Sequence, residues 1–302
     1  MDPRDAQPVE PITISVRLLG RMTAAIGDRD LRLTGRHAQA LLALLALRPR
    51  PRSREGIAAD LWPEADPRCA GSLRQALWLL RGALAGVGVD PDRVIDANPE
   101  AIGLRRDVVV DLDATRFERL VRDRPAQPEA ALLLYGGDLA EGLGHDCFAA
   151  DRERLADTYE DALALVATMR LETGDVDGAR AVAEELLVRD SLREEAHEVL
   201  IRVFGCVGSR SQVVRQYRRL EVLLETEIGV APLPETVAAF RSALEQTVMR
   251  SRLRVAGVDG AVPGVSAGGG VGSVGVGAGA AGEVIRPVSA GGIRVVAMAG
   301  GR

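Results

Sequence analysis

The segment from Ser72 to Leu84 has residue types and spacing that suit contact with the bases of duplex DNA. Its leucines recur every three or four residues, which predicts a helix with one buried stripe formed by Leu73, Leu77, Leu80 and Leu84. Arg74, Trp78 and Arg81 have the same spacing on a different face, and Gln75 lies beside them. Arginine and glutamine match the major-groove edges of guanine and adenine, so this face predicts base recognition. The alternative is an ordinary solvated helix face.

A second group of arginines has the chemistry to hold the phosphate backbone. Residues 17–54 contain nine arginines against two acids, Asp28 and Asp30. The candidates for phosphate contact in this stretch are Arg36, Arg48, Arg50, Arg52 and Arg54. Such contacts position a protein on DNA without specifying sequence. Taken singly, each of these arginines can also be interpreted as a solvated surface charge.

The elements that must position these side chains form one N-terminal segment, assigned to residues 12–108. Strands are predicted from alternating apolar residues, and helices from apolar residues spaced by three or four. In order, the predicted elements are a strand over 12–18, a turn over 27–30, a short strand over 31–33, a helix from Arg36 to before Pro49, a helix capped by Ser53, a helix begun by Asp66-Pro67, and a hairpin over 94–104. A small sheet, three helices and a hairpin predict a winged helix-turn-helix with an added N-terminal sheet.

Residues 109–248 are predicted to form an all-α array of tetratricopeptide-like helices. A 34-residue repeat relates Ala162 to Ala196, Leu165 to Val199, Met169 to Val203, Gly174 to Gly208, and Leu186 to Leu220. Each unit is predicted to be two helices joined by a glycine-containing turn. Because such pairs bury one face only when they stack, the array predicts a surface for protein partners. The fold class is therefore mainly α with a small β component.

The two ends of the chain are predicted to lack a packed core. Residues 1–11 are assigned to a flexible N-terminus, and residues 249–302 to a disordered tail. From residue 251 onward the tail contains 15 of the 33 glycines and has no helical or strand period. Glycine raises the entropy cost of ordering a chain, and no apolar pattern in this stretch offsets that cost.

Composition argues against an enzyme. The 302 residues include no lysine, which excludes a P-loop lysine, a Schiff-base lysine and a Ser-x-x-Lys nucleophile. Cys69, Cys147 and Cys206 are too widely spaced for a disulfide framework or a zinc site. The glycine pattern at 277–282 lacks the strand and helix that a dinucleotide site requires. We therefore expect no catalytic residues, no cofactor and no metal.

Charge is unevenly distributed along the chain. The formal net charge is −5, divided as +2 over residues 1–109, −10 over 110–250 and +3 over 251–302. This division favours a head that binds a polyanion, joined to a body that binds protein. The absence of a signal peptide and of a long apolar run predicts a cytoplasmic, nucleoid-associated protein that does not bind membranes.

A few further side chains have alternative interpretations. His145, Asp146 and Cys147 are adjacent and are predicted to lie on a loop without metal or nucleophile chemistry. His37 and His197 are predicted to be surface or satisfied packing residues on helices. The late cluster Arg215, Arg218 and Arg219 is interpreted as a solvated face balanced by Glu221 and Glu225, with contact to a partner as the alternative.

Motifs in both segments occur in the order found in a known family. The N-terminal motifs are Val16-Arg17-Leu18-Leu19-Gly20, Ala40-Leu41-Leu42-Ala43-Leu44-Leu45, Leu61-Trp62-Pro63 and Leu73-Arg74-Gln75-Ala76-Leu77 with Leu80-Arg81. The later motifs are Val110-Asp111-Leu112-Asp113 with Phe117, Tyr135-Gly136-Gly137-Asp138-Leu139, Arg189 to His197, Tyr217 and Gly229-Val230-Ala231-Pro232. Over residues 12–247 the chain resembles the Streptomyces antibiotic regulatory protein family, whose members join a response-regulator-type winged helix to a bacterial transcriptional activator domain.

The resemblance implies a transcriptional activator that binds promoter direct repeats, recruits RNA polymerase holoenzyme and switches on a secondary-metabolite gene cluster. By position, Arg74, Gln75, Trp78 and Arg81 fall on the family's recognition helix. Arg105 and Arg106 fall at or just after the second strand of the wing. The acidic hairpin tip at residues 96–100 departs from the pattern, because a wing near phosphate favours basic residues.

One alternative stays open at this point. A degenerate winged helix joined to a tetratricopeptide array would serve as a scaffold that binds another regulator and not DNA. The acidic hairpin tip and the modest charge of residues 1–109 favour this alternative. Self-association on DNA is a further expectation, since tandem binding to direct repeats places copies head to tail.

Overall fold

The structure is a computed structural model, and it describes residues 11–63, 69–123 and 126–255, which belong to one compact unit. Some expectations lie outside the described residues. They are the flexible N-terminus before residue 11, the helix start at Asp66-Pro67 and the disordered tail from residue 256 onward. The last described helix continues to Val255, past the boundary predicted at residue 248.

The elements alternate between short strands and helices in the first 112 residues and are helical afterwards. The strands are β1 (Thr13–Arg17), β2 (Thr23–Ile26), β3 (Arg29–Asp30), β4 (Arg52–Ser53), β5 (Ile95–Ala97), β6 (Ala101–Leu104) and β7 (Val109–Leu112). The helices are α1 (Arg36–Leu47), α2 (Arg54–Leu61), α3 (Cys69–Gly86), α4 (Asp113–Arg122), α5 (Pro128–Leu132), α6 (Ala149–Glu172), α7 (Val176–Arg189), α8 (Glu194–Val207), α9 (Arg210–Glu227) and α10 (Pro234–Val255). Short 3-10 helices span Pro91–Arg93 and Asp146–Phe148.

The first sheet has the strand order β3-β2-β1-β7. In β1, Ile14 and Val16 are buried between more exposed neighbours, as the alternating pattern predicts. The strand predicted over 31–33 is wrong. The ladder begins at Arg29, opposite Ile26, because the turn between β2 and β3 has only two residues. Leu31 still donates its backbone N–H to Ala24 and then enters the core.

Strand β7 joins the two predicted segments. It runs parallel to β1, with Thr13 opposite Val109 and Val16 opposite Leu112. It starts at residue 109, where the second segment was predicted to begin. The second segment therefore supplies the strand that completes the sheet of the first.

Helices α1 and α2 form where the sequence predicts them. Helix α1 buries an unbroken run of alanines and leucines over residues 40–46, because it packs against α3 and also contacts α2, β6 and β7. Helix α2 begins where Ser53 accepts a hydrogen bond from the N–H of Gly56, and it buries Ile57 and Leu61. The second sheet has the order β4-β6-β5, so the predicted hairpin of β5 and β6 gains β4, the two residues before α2, as a third strand.

The junction between winged helix and helical array is closely packed. Asp113, at the start of α4, is 4% exposed, and its carboxylate accepts the backbone N–H groups of Leu18 and Leu19 at 2.8 and 3.0 Å. Burial raises the pKa of Asp113, and these hydrogen bonds oppose that shift. Gly20 (φ +101°) follows, and a Cβ there would lie 3.2 Å from the backbone of Gly136. The two segments therefore meet backbone to backbone.

The 34-residue repeat corresponds to two helix pairs, α6–α7 and α8–α9. The turns of the two pairs contain Gly174 and Gly208, which have φ of +85° and +79°. The repeat residues Ala162, Ala196, Leu186 and Leu220 are all buried at 0% exposure. The matching glycines and the matching core positions show that the predicted repeat is a structural one.

The two pairs differ in what covers them. Val199 and Val203 of α8 are buried, whereas their counterparts Leu165 and Met169 of α6 are each 40% exposed. Helix α10 packs closely on α8 at Gly205, where a Cβ would lie 2.8 Å from the Cβ of Ala243. In the first pair the position of Gly205 is taken by Leu171, whose side chain prevents such an approach.

These features confirm the predicted fold class: a winged helix-turn-helix with a small β component, followed by an all-α array. Within the described residues, no helix has the combination of length and apolar character that crossing a membrane would need.

Candidate nucleic-acid interface

Helix α3 has an exposed outer stripe along its length. The stripe is formed by Gly71, Arg74, Gln75, Trp78, Gly82 and Ala85. The leucine stripe predicted on the other face is buried, with exposures of 8% or less. Trp78 is 72% exposed, which leaves its indole ring accessible to a partner. The second half of the stripe has only small residues, so the side chains able to contact bases are Arg74, Gln75 and Trp78.

Arg81 lies on the same side of α3, three residues after Trp78, but it is less exposed and has a partner within the protein. Its Nη2 atom is 2.8 Å from a carboxylate oxygen of Asp92, in the 3-10 helix before the hairpin, and its side chain is 39% exposed. The same 3-10 helix engages Arg105, whose Nη1 donates to the carbonyl of Asp92 at 3.4 Å and whose Nε is 3.7 Å from Asp107. Arg81 and Arg105 therefore meet at one acidic residue beside the hairpin. Arg106, next in the chain, is exposed.

The arginines predicted to contact phosphate between the start of α1 and the start of α2 have different surroundings. Arg36 is exposed at the start of α1, and Arg50 is exposed in the loop that follows α1. Arg52 of β4 is half-buried and forms an ion pair with Asp60. Arg54 donates from Nε to the carbonyl of Asn98 at 2.7 Å, so it holds the hairpin tip against the start of α2.

Arg48 has partners in the helical array. Its Nη2 atom donates to the carbonyl of Cys147 and to the carboxylate of Asp151, both at 3.1 Å. The structure therefore gives Arg48 a role at the junction with the array, and a phosphate contact by Arg48 stays a prediction. Sequence reasoning missed this role, since no local pattern marks a partner so distant in sequence.

The hairpin tip keeps its acidic character in the folded protein. Asp96 and Glu100 are exposed on either side of Asn98. The Asn98 side chain accepts the backbone N–H groups of Glu100 and Ala101 at 2.9 and 2.8 Å, which fixes the turn. A fixed acidic tip repels phosphate, so any contacts to the phosphate backbone of DNA are expected from the arginines around α1 and α2.

A groove runs beside α3 on the side of the first sheet. It has a volume of about 430 Å³, and its walls include Trp78, Gly82 and Gly86 of α3 together with Asp30, Arg32 and Thr34. Arg32 is exposed, and the sequence reasoning did not select it. Its place among the nine arginines of residues 17–54 was the only available signal. A partner that contacts Trp78 also approaches Arg32.

The other chemical candidates have structural roles. His197 is 1% exposed, with its ring nitrogens 3.1 Å from the Ser191 carbonyl and 2.8 Å from the side-chain amide of Gln216. Burial lowers the pKa of His197, and the charge of Arg219 lowers it further. His145 precedes a short 3-10 helix, and burial lowers its pKa as well. In the described ranges, no group of histidine, cysteine and acidic residues has the arrangement of a metal site.

The comparisons with known proteins agree with this architecture. Residues 112–244 match the family model of the bacterial transcriptional activator domain, so the chain contains such a domain. The match covers most of the helical array and begins at the last residue of β7. Among curated proteins, none matches the chain.

A solved structure has the same fold. The chain is similar to Mycobacterium tuberculosis EmbR, determined in complex with a low-affinity phosphopeptide, with a TM-score of 0.65 and 22% sequence identity. The similarity covers 82% of this chain and 70% of that one. It therefore includes winged-helix and helical regions together.

Proposed function

We propose that this protein is a sequence-specific DNA-binding transcriptional activator whose α3 enters the major groove. The observation that carries the proposal is the exposed set Arg74, Gln75 and Trp78 on α3, the third helix of the winged-helix region. These are side chains with donors, acceptors and apolar surface for base edges. The bacterial transcriptional activator domain that follows supports a role in transcription.

The finer parts of the proposal concern the partners. The family resemblance supports promoter direct repeats as the DNA target, with copies of the protein associating side by side on them. It also supports RNA polymerase holoenzyme as the protein partner and a secondary-metabolite gene cluster as the regulated target. Arg36, Arg50, Arg52, Arg54, Arg105 and Arg106 are the proposed phosphate contacts. Arg52, Arg54 and Arg105 would exchange or share their present partners to reach the backbone.

The test is a footprint of the purified protein on the intergenic DNA beside its own gene. We expect protection of two direct repeats, lost in Arg74→Ala and retained in Arg218→Ala. Both residues are exposed arginines on helices, so neither substitution removes a buried contact. Circular dichroism checks that both variants are folded. Protection that is equal in the two variants would contradict base recognition by α3.

A second candidate function has its own observation. Arg81 forms an ion pair with Asp92, Arg105 forms one with Asp107, and the hairpin tip is acidic, so part of the positive charge expected to meet DNA is already offset. That arrangement favours a scaffold that binds another regulator. Folded protein that protects no DNA at low salt would favour the scaffold.

A further inference from the structure

Helix α9 has an outward face that the proposed function does not use. Arg215, Arg218, Arg219 and Val222 recur at i, i+3, i+4 and i+7, and all four are exposed, Val222 at 61%. We call these four residues the α9 arginine face. Among the described residues, none of its three arginines forms an ion pair. Glu221, which the sequence suggested would balance their charge, forms no ion pair with them.

The structural repeat supplies an internal comparison for this face. The positions 34 residues earlier on α7 are Ala181, Glu184, Glu185 and Val188, and Val188 is also exposed, at 87%. Both α7 acids have partners: Glu184 is 2.8 Å from Nε of Arg180, and Glu185 accepts the hydroxyl of Tyr159 at 2.7 Å. The exposed valine is thus common to both helices, whereas the unpaired charges belong to α9.

The charge of α9 is opposite to that of its surroundings. Residues 110–250 have a net charge of −10, so three adjoining arginines without partners form a local exception. Exposed arginines remain solvated, so leaving them unpaired costs little free energy. Their aliphatic stems and the adjacent Val222 form an apolar surface next to the charged groups. A ligand that suits this face has carboxylates for the guanidinium groups and one apolar side chain for Val222.

We propose that the α9 arginine face binds an acidic polypeptide segment with one large apolar side chain. Duplex DNA suits the face less well, because phosphates offer nothing to Val222. A duplex is also a long polyanion, which the acids of α7, packed on the same helix α8, would repel. The proposal does not rest on DNA binding by α3.

The test uses the full-length chain and a fluorescein-labelled peptide of about 12 residues, composed of glutamate and aspartate with one central leucine. Fluorescence anisotropy at roughly 50 mM salt measures its affinity. The informative variant is the double substitution Arg218→Glu and Arg219→Glu, which gives α9 the charges of α7. We expect it to weaken peptide binding at least about tenfold. Replacing the leucine of the peptide by serine is expected to weaken binding as well.

A matched control separates the face from general charge. Arg116→Glu with Arg119→Glu makes the same charge change on exposed arginines of α4, and among the described residues neither of these arginines forms an ion pair. This control should bind the peptide as the unchanged protein does. If both double variants lost peptide affinity equally, the proposal would be overturned. It would also be overturned if replacing the leucine of the peptide left its affinity unchanged. A loss of affinity for random-sequence duplex DNA, with peptide binding unchanged, would make the face a phosphate contact and also overturn it.

Discussion

The outer stripe of α3 and the α9 arginine face have similar side chains in different surroundings. The α3 stripe has one exposed arginine, Arg74, with Trp78 at 72% exposure, and the α9 arginine face has three exposed arginines with Val222 at 61%. The α3 stripe also has Gln75 and lies in a segment of net charge +2, whereas α9 lies in a segment of net charge −10. The arginines alone do not identify the partner.

The neighbours of each face provide the distinction. Around α3, further arginines at the starts of α1 and α2 add positive charge to the same segment, which favours a polyanion. Around α9, acids of α7 and of α9 itself limit the positive surface to about one helix face. A long polyanion fits the first arrangement, and a short acidic segment fits the second.

The largest expected difference between the two faces is in salt dependence. With six arginines proposed as phosphate contacts, affinity for operator DNA should fall about 1000-fold between roughly 50 and 200 mM salt, because bound counterions are released. Peptide binding at the α9 arginine face should fall much less, since only three arginines take part. Binding titrations of DNA and of the peptide at several salt concentrations measure how steeply each affinity falls with salt. Equal salt dependence would contradict the assignment of a long polyanion to α3 and a short acidic segment to α9.

The next prediction concerns the junction between the winged helix and the helical array. Gly20→Ala should lower the free energy of unfolding by about 2–4 kcal/mol, since its φ of +101° and the nearby backbone of Gly136 both oppose a side chain. Gly27→Ala is the control, because Gly27 also has positive φ but has open space around its Cβ position. It should cost about 1 kcal/mol. Urea denaturation measures both, and equal costs would show that the close approach to Gly136 is unimportant.

A smaller effect is expected within the α3 face that we propose binds DNA. Arg81→Ala should weaken operator binding less than Arg74→Ala does, because the guanidinium of Arg81 is already paired with Asp92. We expect about 1–3 kcal/mol for Arg74→Ala and under about 1 kcal/mol for Arg81→Ala. Gel-shift titration of the two variants gives the values. A larger loss from Arg81→Ala would indicate that its ion pair opens on DNA.

The smallest effect links the α9 arginine face to the core beneath it. Arg219 helps to lower the pKa of His197, so Arg219→Glu should raise that pKa, as measured by an NMR titration of the ring. Arg215→Glu makes the same charge change one turn away and should shift it less. Because the folded pKa lies below the ordinary value of 6.5, the unfolded chain takes up this proton first as pH falls. His197 therefore contributes stability above that value and loses it below, and Arg219→Glu should reduce the loss.

Local signals in the sequence predicted most of the elements. The cap at Ser53, the leucine stripe of α3 and the hairpin around Asn98 each depend on residues within one helix or turn, and each is present. The repeat likewise predicted the turns at Gly174 and Gly208. Residues close in sequence determine such features, so a single sequence is sufficient to find them.

Contacts between distant residues could not be predicted in this way. The parallel pairing of β1 with β7 and the contact of Arg48 with Asp151 join residues about a hundred positions apart. The repeat likewise gave no sign that Leu165 and Met169 would be exposed, since α10 covers only the second pair. For the α3 face, the sequence predicted the residues, but it could not show that Asp92 would hold Arg81.

Genetic exchange between relatives has to respect strand β7. A crossover at residue 108 separates the winged helix from the strand that pairs with β1 and from the Asp113 carboxylate that accepts the N–H groups of Leu18 and Leu19. A foreign head grafted there must offer an open strand edge and two free amide groups at the same positions. Without them, the recombinant leaves a buried carboxylate with the N–H of Ala114 as its one remaining partner, which is costly. We therefore expect head and array to be exchanged together, as one module.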